Sequence, residues 1–594
     1  MSDILTLLGD EAAALGAIHA GLSAAYGYPG TPSTEIMEYL QEEAAKAEPK
    51  TAAGPGTGFI AKWCVNEKTA LEAALGTSFA GKRALVTMKH VGLNVAADPF
   101  MNAALLGIKG GLVIAVADDP GMHSSQGEQD SRFYGFFAMV PCLEPRNQQE
   151  AYDMTREAFD LSERFTVPVL LRLVTRLSHA RSAIRSAPPR PQNPLSKAED
   201  TTRWMLLPAY ARKNYAALIE RQKEFRRWSN SHPANKLELP QDTPPGPQDK
   251  NSAFAVITSG LGGNYYEENL SDLTAALGKA PARLHIGVYP LPEDSIRRLC
   301  ENTAEVLVIE EGQPLIEEKL RGILPQNVNI RGRLGIMPEL SFGKSKDTNA
   351  KGICIPRSGE LDPDNVRAAL GLPPRKSVLD TLPAGSPAQI FAEGKTGRPP
   401  QLCQGCPHGD SYETINRTVA ALDRRITPNG ETRAAHPAVS VNSDIGCYSL
   451  GAAPPYSAIE SIVCMGASVG MARGAADAGI PYAFAVIGDS TFIHSGITAL
   501  IDVVEANTPM TLIILDNSIV AMTGCQQTAL PSAKLKSLIL GTGLDPAHYL
   551  ELEAKKQLLE ENALKLEKEA EYRGLSVVVF KRECLEAARK RKKS

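Results

Sequence analysis

At 594 residues the chain is long enough for three or four domains of roughly 150 residues each. Hydrophobic residues at 43% and charged residues at 22% match ordinary globular usage, which excludes disordered, collagen-like and coiled-coil classes for its bulk. The 63 basic and 67 acidic side chains leave a formal charge of −4, so there is no global electrostatic footprint for nucleic acid. The opening stretch, MSDILTLLGDEAAALGA, carries acids and no basic segment ahead of an apolar core, and no window approaches ~20 uncharged apolar residues. These features predict a cytoplasmic protein that engages neither membrane nor nucleic acid.

Over residues 1–185, short apolar runs alternate with helical patterns. RALVTM (83–88), GLVIAVADD (111–119) and VPVLLRLV (167–174) read as buried strands, and KTALEAALGTSFA as a helix. That alternation predicts a parallel α/β domain. Residues 186–252 turn rich in Pro, Arg, Gln and Asn and read as a linker around a helical segment near 208–228. A middle α/β domain follows over 253–372, with SAFAVITSG, RLHIGVYPLP and AEVLVIEEG as strands, and residues 373–400 form a second Pro-rich linker. The last domain, 401–594, places AVSVNSDIG, YAFAVIGDS and MTLIILDNS at strand-to-loop junctions. Open parallel sheets bind ligands outside the carboxyl ends of their strands, so these junctions are expected to converge. ELEAKKQLLEENALKLEKEAEYRG reads as an exposed charged helix, SVVVFK as a strand and ARKRKKS as a solvated tail. The predicted fold class is α/β, with three doubly wound parallel-sheet domains.

Ten cysteines in a chain read as cytosolic are not expected to pair. Cys64, Cys142, Cys300, Cys354, Cys464 and Cys525 stand singly and read as residues without chemistry, whereas Cys403 and Cys406 form the CxxC. Hard-metal chemistry is suggested elsewhere. GDST begins at Gly488, and after the 26 residues 491–516 comes Asn517. A carboxylate ending one strand and an amide ending the next supply oxygen ligands for Mg2+, so Asp489 and Asn517 are the candidates, with the Ile519 carbonyl as a third. Gly488 would let the backbone approach a diphosphate, and the following helix would turn its first amides toward it. Taken alone, GDS and DNS are ordinary strand-ending turns; their joint spacing across one strand–helix–strand unit favours the site.

The GDS-to-Asn spacing resembles the thiamine diphosphate motif, with Ser490 where the common form has Gly. GYPGTPSTEI (27–36), WCVNEKTALEAA (63–74), TMKHVGLNVAADPFMNAA (87–104), SSQGEQDSR (124–132), LCQGCPH (402–408), SDIGCYSLGA, CMGASVGMA and MTG (522–524) occur in this order. Together they resemble the 2-oxoacid:ferredoxin oxidoreductases, and most closely the large subunits of the indolepyruvate branch. The resemblance makes the first domain pyrimidine-binding and the last diphosphate- and Mg2+-binding, flanking the smaller middle one. It puts Glu67 at the aminopyrimidine N1′, where a carboxyl would share a proton. Thr31 falls where the family holds substrate, with Lys89 and His90 in the adjoining loop, and Gly446, Gly466, Gly488, Ser490 and Thr523 join the cofactor-binding set.

The same resemblance makes Cys403, Cys406, Cys447 and Cys584 ligands of one [4Fe-4S] cluster; zinc and unligated thiols are the other readings of those residues. It implies oxidative decarboxylation of a 2-oxo acid, an aryl one such as indolepyruvate or phenylpyruvate, with CoA, to acyl-CoA and CO2. It also implies a small second subunit, a dimer of heterodimers, and ferredoxin or another redox partner. Large subunits of that branch end in a ferredoxin-like module with repeated CxxCxxCxxxCP runs, where this sequence reads ECLEAARKRKKS. That departure implies a direct route from a single cluster or a partner carrying further centres. Non-oxidative decarboxylation and a catalytically silent cofactor-binding scaffold are the rival functions.

Overall fold

The computed structural model describes residues 4–46, 58–239, 254–301, 303–324, 328–334, 355–375, 383, 385–387, 401–426 and 438–591. The chain divides into two compact units, Met1–Thr381 and Leu382–Ser594.

The first unit is organised on two large sheets and a two-stranded antiparallel one, Ile4–Leu8 with Arg181–Arg185. Its seven-stranded sheet runs Val288–Tyr289, Cys142–Leu143, Val169–Val174, Leu112–Asp118, Ala84–Lys89, Ala24–Gly27, Ile60–Trp63. All pairings are parallel except the edge pair of Tyr289 with Cys142. Leu112–Asp118 and Val169–Val174 are buried along their whole length, as central strands covered on both faces must be. The five-stranded sheet runs Asn329–Arg331, Glu305–Ile309, Phe254–Ser259, Ala282–Ile286, Lys236–Glu238, the last antiparallel. The run RLHIGVYPLP therefore serves both sheets. It breaks at Gly287, whose amide is capped by Asn235 Oδ1 at 2.9 Å. The helical segment expected near 208–228 spans Pro208–Ser231, and it packs Phe225 and Trp228 on Phe165 with ring centroids 4.7 and 6.0 Å apart.

Where the two sheets of this unit meet lies a buried charge cluster. Arg172 Nε donates to Asp118 at 2.7 Å, its Nη1 to Glu144, and its Nη2 to the Glu311 carbonyl at 3.0 Å. Arg132 pairs with Asp130 and with Glu310 (3.0 Å) and donates to the Tyr289 hydroxyl at 3.1 Å. Both guanidiniums are fully buried and satisfied by partners from both sheets, which is the condition under which such charges are tolerated.

The second unit is built on a six-stranded parallel sheet in the order Ser461–Ile462, Val439–Ser443, Tyr482–Gly488, Met510–Asp516, Ser576–Lys581, Tyr549–Glu553. The stretch 551–574, expected as one exposed helix, is corrected here. Its first residues end the edge strand, and the helix proper is Leu559–Ala570, burying Leu559, Asn562, Ala563 and Leu566. That three-to-four-residue stripe lies against helix Pro407–Ile426, where Thr418 Oγ1 donates to the Ala563 carbonyl at 3.3 Å. Abundant Glu and Lys on the opposite face had masked it. Among the described residues no helix is long and apolar enough to cross a membrane.

Candidate cofactor and active site

In the first unit, the expected residues lie at the carboxyl ends of adjacent strands. Asn66 caps the helix Glu67–Phe79 by accepting the Thr69 amide at 2.8 Å, so Glu67 opens the first turn and is 5% exposed. Helix His90–Val95 lies over it, and a Cβ at Gly92 would stand 2.5 Å from Glu67 Oε1. Glycine is needed there for close approach. Lys89 ends its strand and sends Nζ to the Ser124 carbonyl at 3.1 Å, while Ser124 Oγ donates to the Thr31 carbonyl at 3.2 Å. Thr31, Lys89 and Glu67 are thus linked through Ser124 and the 90–95 helix. His90, buried beside them, has Nε2 3.1 Å from the Gly127 carbonyl, so it braces the 124–129 loop.

The electrostatics of this corner follow from burial. Desolvation brings the Lys89 ammonium down to about 8, with Asp119 opposing the shift. The His90 imidazole is likewise lowered, by burial and then by the neighbouring Lys89 charge. Burial would raise Asp119, but hydrogen bonds from Ser125 Oγ, Thr175 Oγ1 and the Ser124 amide hold its carboxyl below the usual range. Asp119 and Ser124, which fix the loop, were not singled out in the sequence. Ser124 opens the SSQGEQDSR run quoted above, and Asp119 ends the strand run GLVIAVADD.

In the second unit, the strand-to-loop junctions converge as expected. Asp489 begins the helical stretch that continues through one wide π-turn, Phe492–Gly496, into Ile497–Glu505. Its Oδ1 accepts the Ser490 amide at 2.9 Å. Its Oδ2 is buried with no hydrogen-bond partner among the described residues, and so is Oδ2 of Asp516. Burial first, and then the Asp516 carboxyl, push Asp489 well above the carboxylate range. Two facing carboxyls with orphaned buried oxygens are the donor chemistry of a hard divalent cation, so the residues present fit Mg2+. Asn517 Oδ1 accepts the Ile519 amide at 3.2 Å, and its Nδ2 lies 3.1 Å from His408 Nε2. Burial pushes the His408 imidazole down to about 4.

The glycines of this pole make room mainly for one ring. A Cβ at Gly446 or Gly488 would lie 2.3 or 2.5 Å from Tyr448 Cε1. The Tyr448 hydroxyl is tied to Asp444, which also accepts Ser468 Oγ at 2.7 Å and which burial pushes up to about 6. Gly466, at φ +85°, caps the helix Ala467–Asp477, and a Cβ there would lie 2.6 Å from Ser495 Cβ, so both its left-handed backbone and its packing call for glycine. Thr523 Oγ1 donates to Gln526 Oε1 at 2.6 Å inside the hairpin formed by Ile519–Val520 and Gln526–Gln527. Asp444, Asp516 and His408 were missed in the sequence, although each is adjacent to, or within three residues of, a residue that was named.

Cys403, Cys406, Cys447 and Cys584 line one cavity of about 200 Å3, together with His408, Asn517 and Met522. Cys447 shows how close the thiols are: burial, followed by Cys406, Cys584 and Cys403, pushes its thiol up to about 12. Among the described residues no three His, Cys, Asp or Glu side chains are set as ligands of a single ion. Four thiols lining one cavity are a donor set that suits a [4Fe-4S] cluster, and zinc as well.

Family models match a segment of each unit. Residues 15–224 match the thiamine diphosphate-binding domain of pyruvate flavodoxin/ferredoxin oxidoreductase, and residues 444–552 match the C-terminal thiamine pyrophosphate-binding domain of thiamine pyrophosphate enzymes. Fold and site therefore define a thiamine diphosphate-binding oxidoreductase chain. The indolepyruvate oxidoreductase subunit IorA of Archaeoglobus fulgidus is 37% identical over 529 residues, 88% of this chain and 76% of that one. Its counterpart from Pyrococcus abyssi is 33% identical, over 97% and 85%. The chain belongs to this family of indolepyruvate oxidoreductase large subunits. A solved 2-oxoglutarate:ferredoxin oxidoreductase from Magnetococcus marinus aligns with 17% identity and a TM-score of 0.45, over 55% of this chain and 62% of that one.

Proposed function

We propose that this chain is the large subunit of a cytoplasmic enzyme that oxidises an aryl 2-oxo acid, such as indolepyruvate or phenylpyruvate. With CoA the products are acyl-CoA, CO2, one proton and two electrons. The observation that carries this reading is the shared cavity: four cysteine thiols and Asn517 of the diphosphate pole line the same space. Electrons released at the coenzyme thus have an acceptor site beside it, which a non-oxidative decarboxylase does not need.

Bound thiamine diphosphate supplies the electron sink for decarboxylation. Asp489, Asn517 and the Ile519 carbonyl would hold its Mg2+, and Cys403, Cys406, Cys447 and Cys584 a [4Fe-4S] cluster that passes electrons singly. Glu67, buried at a helix N-terminus, keeps or gives up a proton at its carboxyl oxygen, opposite the aminopyrimidine. Lys89 presents a cation to the substrate carboxylate, and Thr31 borders the same space. Ser124 and Asp119 keep the Lys89 head in place without neutralising it. A small second subunit, completing the CoA site in a dimer of heterodimers, and ferredoxin or another one-electron carrier are the partners this chemistry calls for.

Iron and acid-labile sulfide on anaerobically purified protein test the reading. About four of each per chain are expected, lost in Cys403→Ala and Cys584→Ala along with CoA-dependent reduction of a one-electron dye by indolepyruvate. An iron-free protein that still binds thiamine diphosphate and releases an aldehyde would overturn it in favour of non-oxidative decarboxylation.

A further inference from the structure

His408 stands between the two cofactor poles of the second unit. It is the second residue of helix Pro407–Ile426, 4% exposed, and its ring meets Tyr448 edge-on at 6.2 Å. It lines the cavity of the four cysteines together with Asn517, 109 positions away in sequence, whose Nδ2 lies 3.1 Å from its Nε2.

The orientation of the Asn517 carboxamide follows from its two neighbours. The Ile519 N–H points at Oδ1 from 3.2 Å; turning the amide over would set its NH2 against that N–H. The nitrogen end must therefore face His408. An amide NH2 only donates, so His408 must offer a lone pair at Nε2 and carry its proton on Nδ1. A carboxamide oxygen has two lone pairs: one takes the Ile519 amide, and the other is left for a cation.

We propose that His408 is a positioning residue, the hydrogen-bond acceptor that holds Asn517 with its oxygen presented to Mg2+. Through it the wall of the cysteine cavity sets the geometry of the diphosphate pole. The proposal rests on the reading of Asp489 and Asn517 as Mg2+ ligands. An outer partner of this kind acts on metal affinity by fixing ligand direction, and its removal typically costs about 10–100-fold.

The experiment compares His408→Met and His408→Gln with the wild type, each purified anaerobically with its cluster. Met is close in size and flexible but offers no adequate acceptor, whereas Gln can turn Oε1 to the same N–H. Mg2+-dependent binding of thiamine diphosphate is followed by calorimetry, with iron and sulfide counted on every sample. The expected result is a Mg2+ affinity about 10–100-fold weaker in His408→Met at unchanged iron and sulfide, with His408→Gln returning to within a few-fold of wild type. Wild-type affinity in His408→Met, or His408→Gln as weak as His408→Met, would overturn the proposal. Loss of iron in both variants would also overturn it, assigning His408 to the cluster instead. Should Mg2+ binding in the wild type be indifferent to Asp489→Asn, the ligand reading itself falls, and that result is separate from any His408 effect.

Discussion

At the scale of single residues, the pressing question is how Lys89 stays cationic in a half-buried corner. Desolvation lowers it to about 8 while Asp119, held ionised by three donors, pulls the other way. The ammonium is thus present at neutral pH and lost as pH rises through about 8. If it binds the substrate carboxylate, kcat/KM falls above pH 8, approaching tenfold per unit, whereas Lys89→Arg keeps its charge and removes that alkaline limb at a lower plateau. A pH–rate profile between 6.5 and 9.5 checks this; an unchanged alkaline limb in Lys89→Arg would assign the titration to another group.

Elements explain why some of this was legible beforehand. Strand ends such as VIGDS and IILDN announce themselves, because an apolar run must stop where polar groups meet solvent or ligand. LIILDN carried the Asn517 signal in this way. Contacts between elements are different. The pairing of Asn517 with His408, and of Asp489 with Asp516, depends on how a helix and two strands are laid side by side, which no local pattern encodes. The edge strand Tyr549–Glu553 was obscured for a related reason: its YLELE alternation leads directly into charged residues of helical composition. Helix His90–Val95 shows how narrow such an approach is. With a Cβ at residue 92 placed 2.5 Å from Glu67 Oε1, Gly92→Ala must displace either the carboxylate or the helix. Gly92→Ala is expected to keep its thermal transition near wild type while kcat falls by about 10²-fold or more, close to Glu67→Gln. Steady-state kinetics beside circular-dichroism melting decides between this and simple unfolding.

At the scale of the whole chain, the first unit holds two sheets together through charge rather than through apolar packing alone. Arg172 bridges Asp118 and Glu144 on one sheet to the Glu311 carbonyl on the other. Removing it leaves carboxyls buried without their counter-charge. Arg172→Met is expected to destabilise the unit by about 3–5 kcal/mol, read as a lowered urea midpoint of its transition in the intact chain. A midpoint within experimental error of wild type would mean that the neighbouring carboxyls take up protons at no cost.

The order of strands in the second unit has a consequence for biosynthesis. Ser576–Lys581, the last strand among the described residues, lies between Met510–Asp516 and Tyr549–Glu553. Synthesis proceeds from the N-terminus, so until residue 581 has left the ribosome Met510–Asp516 has one bare edge, open to pairing with other chains. The sheet closes only at that moment. Cys584, three residues beyond the same strand, reaches the other cysteines in the same event. If these thiols hold the proposed cluster, a nascent chain offers iron three of them beside an open edge, whereas the released chain offers all four.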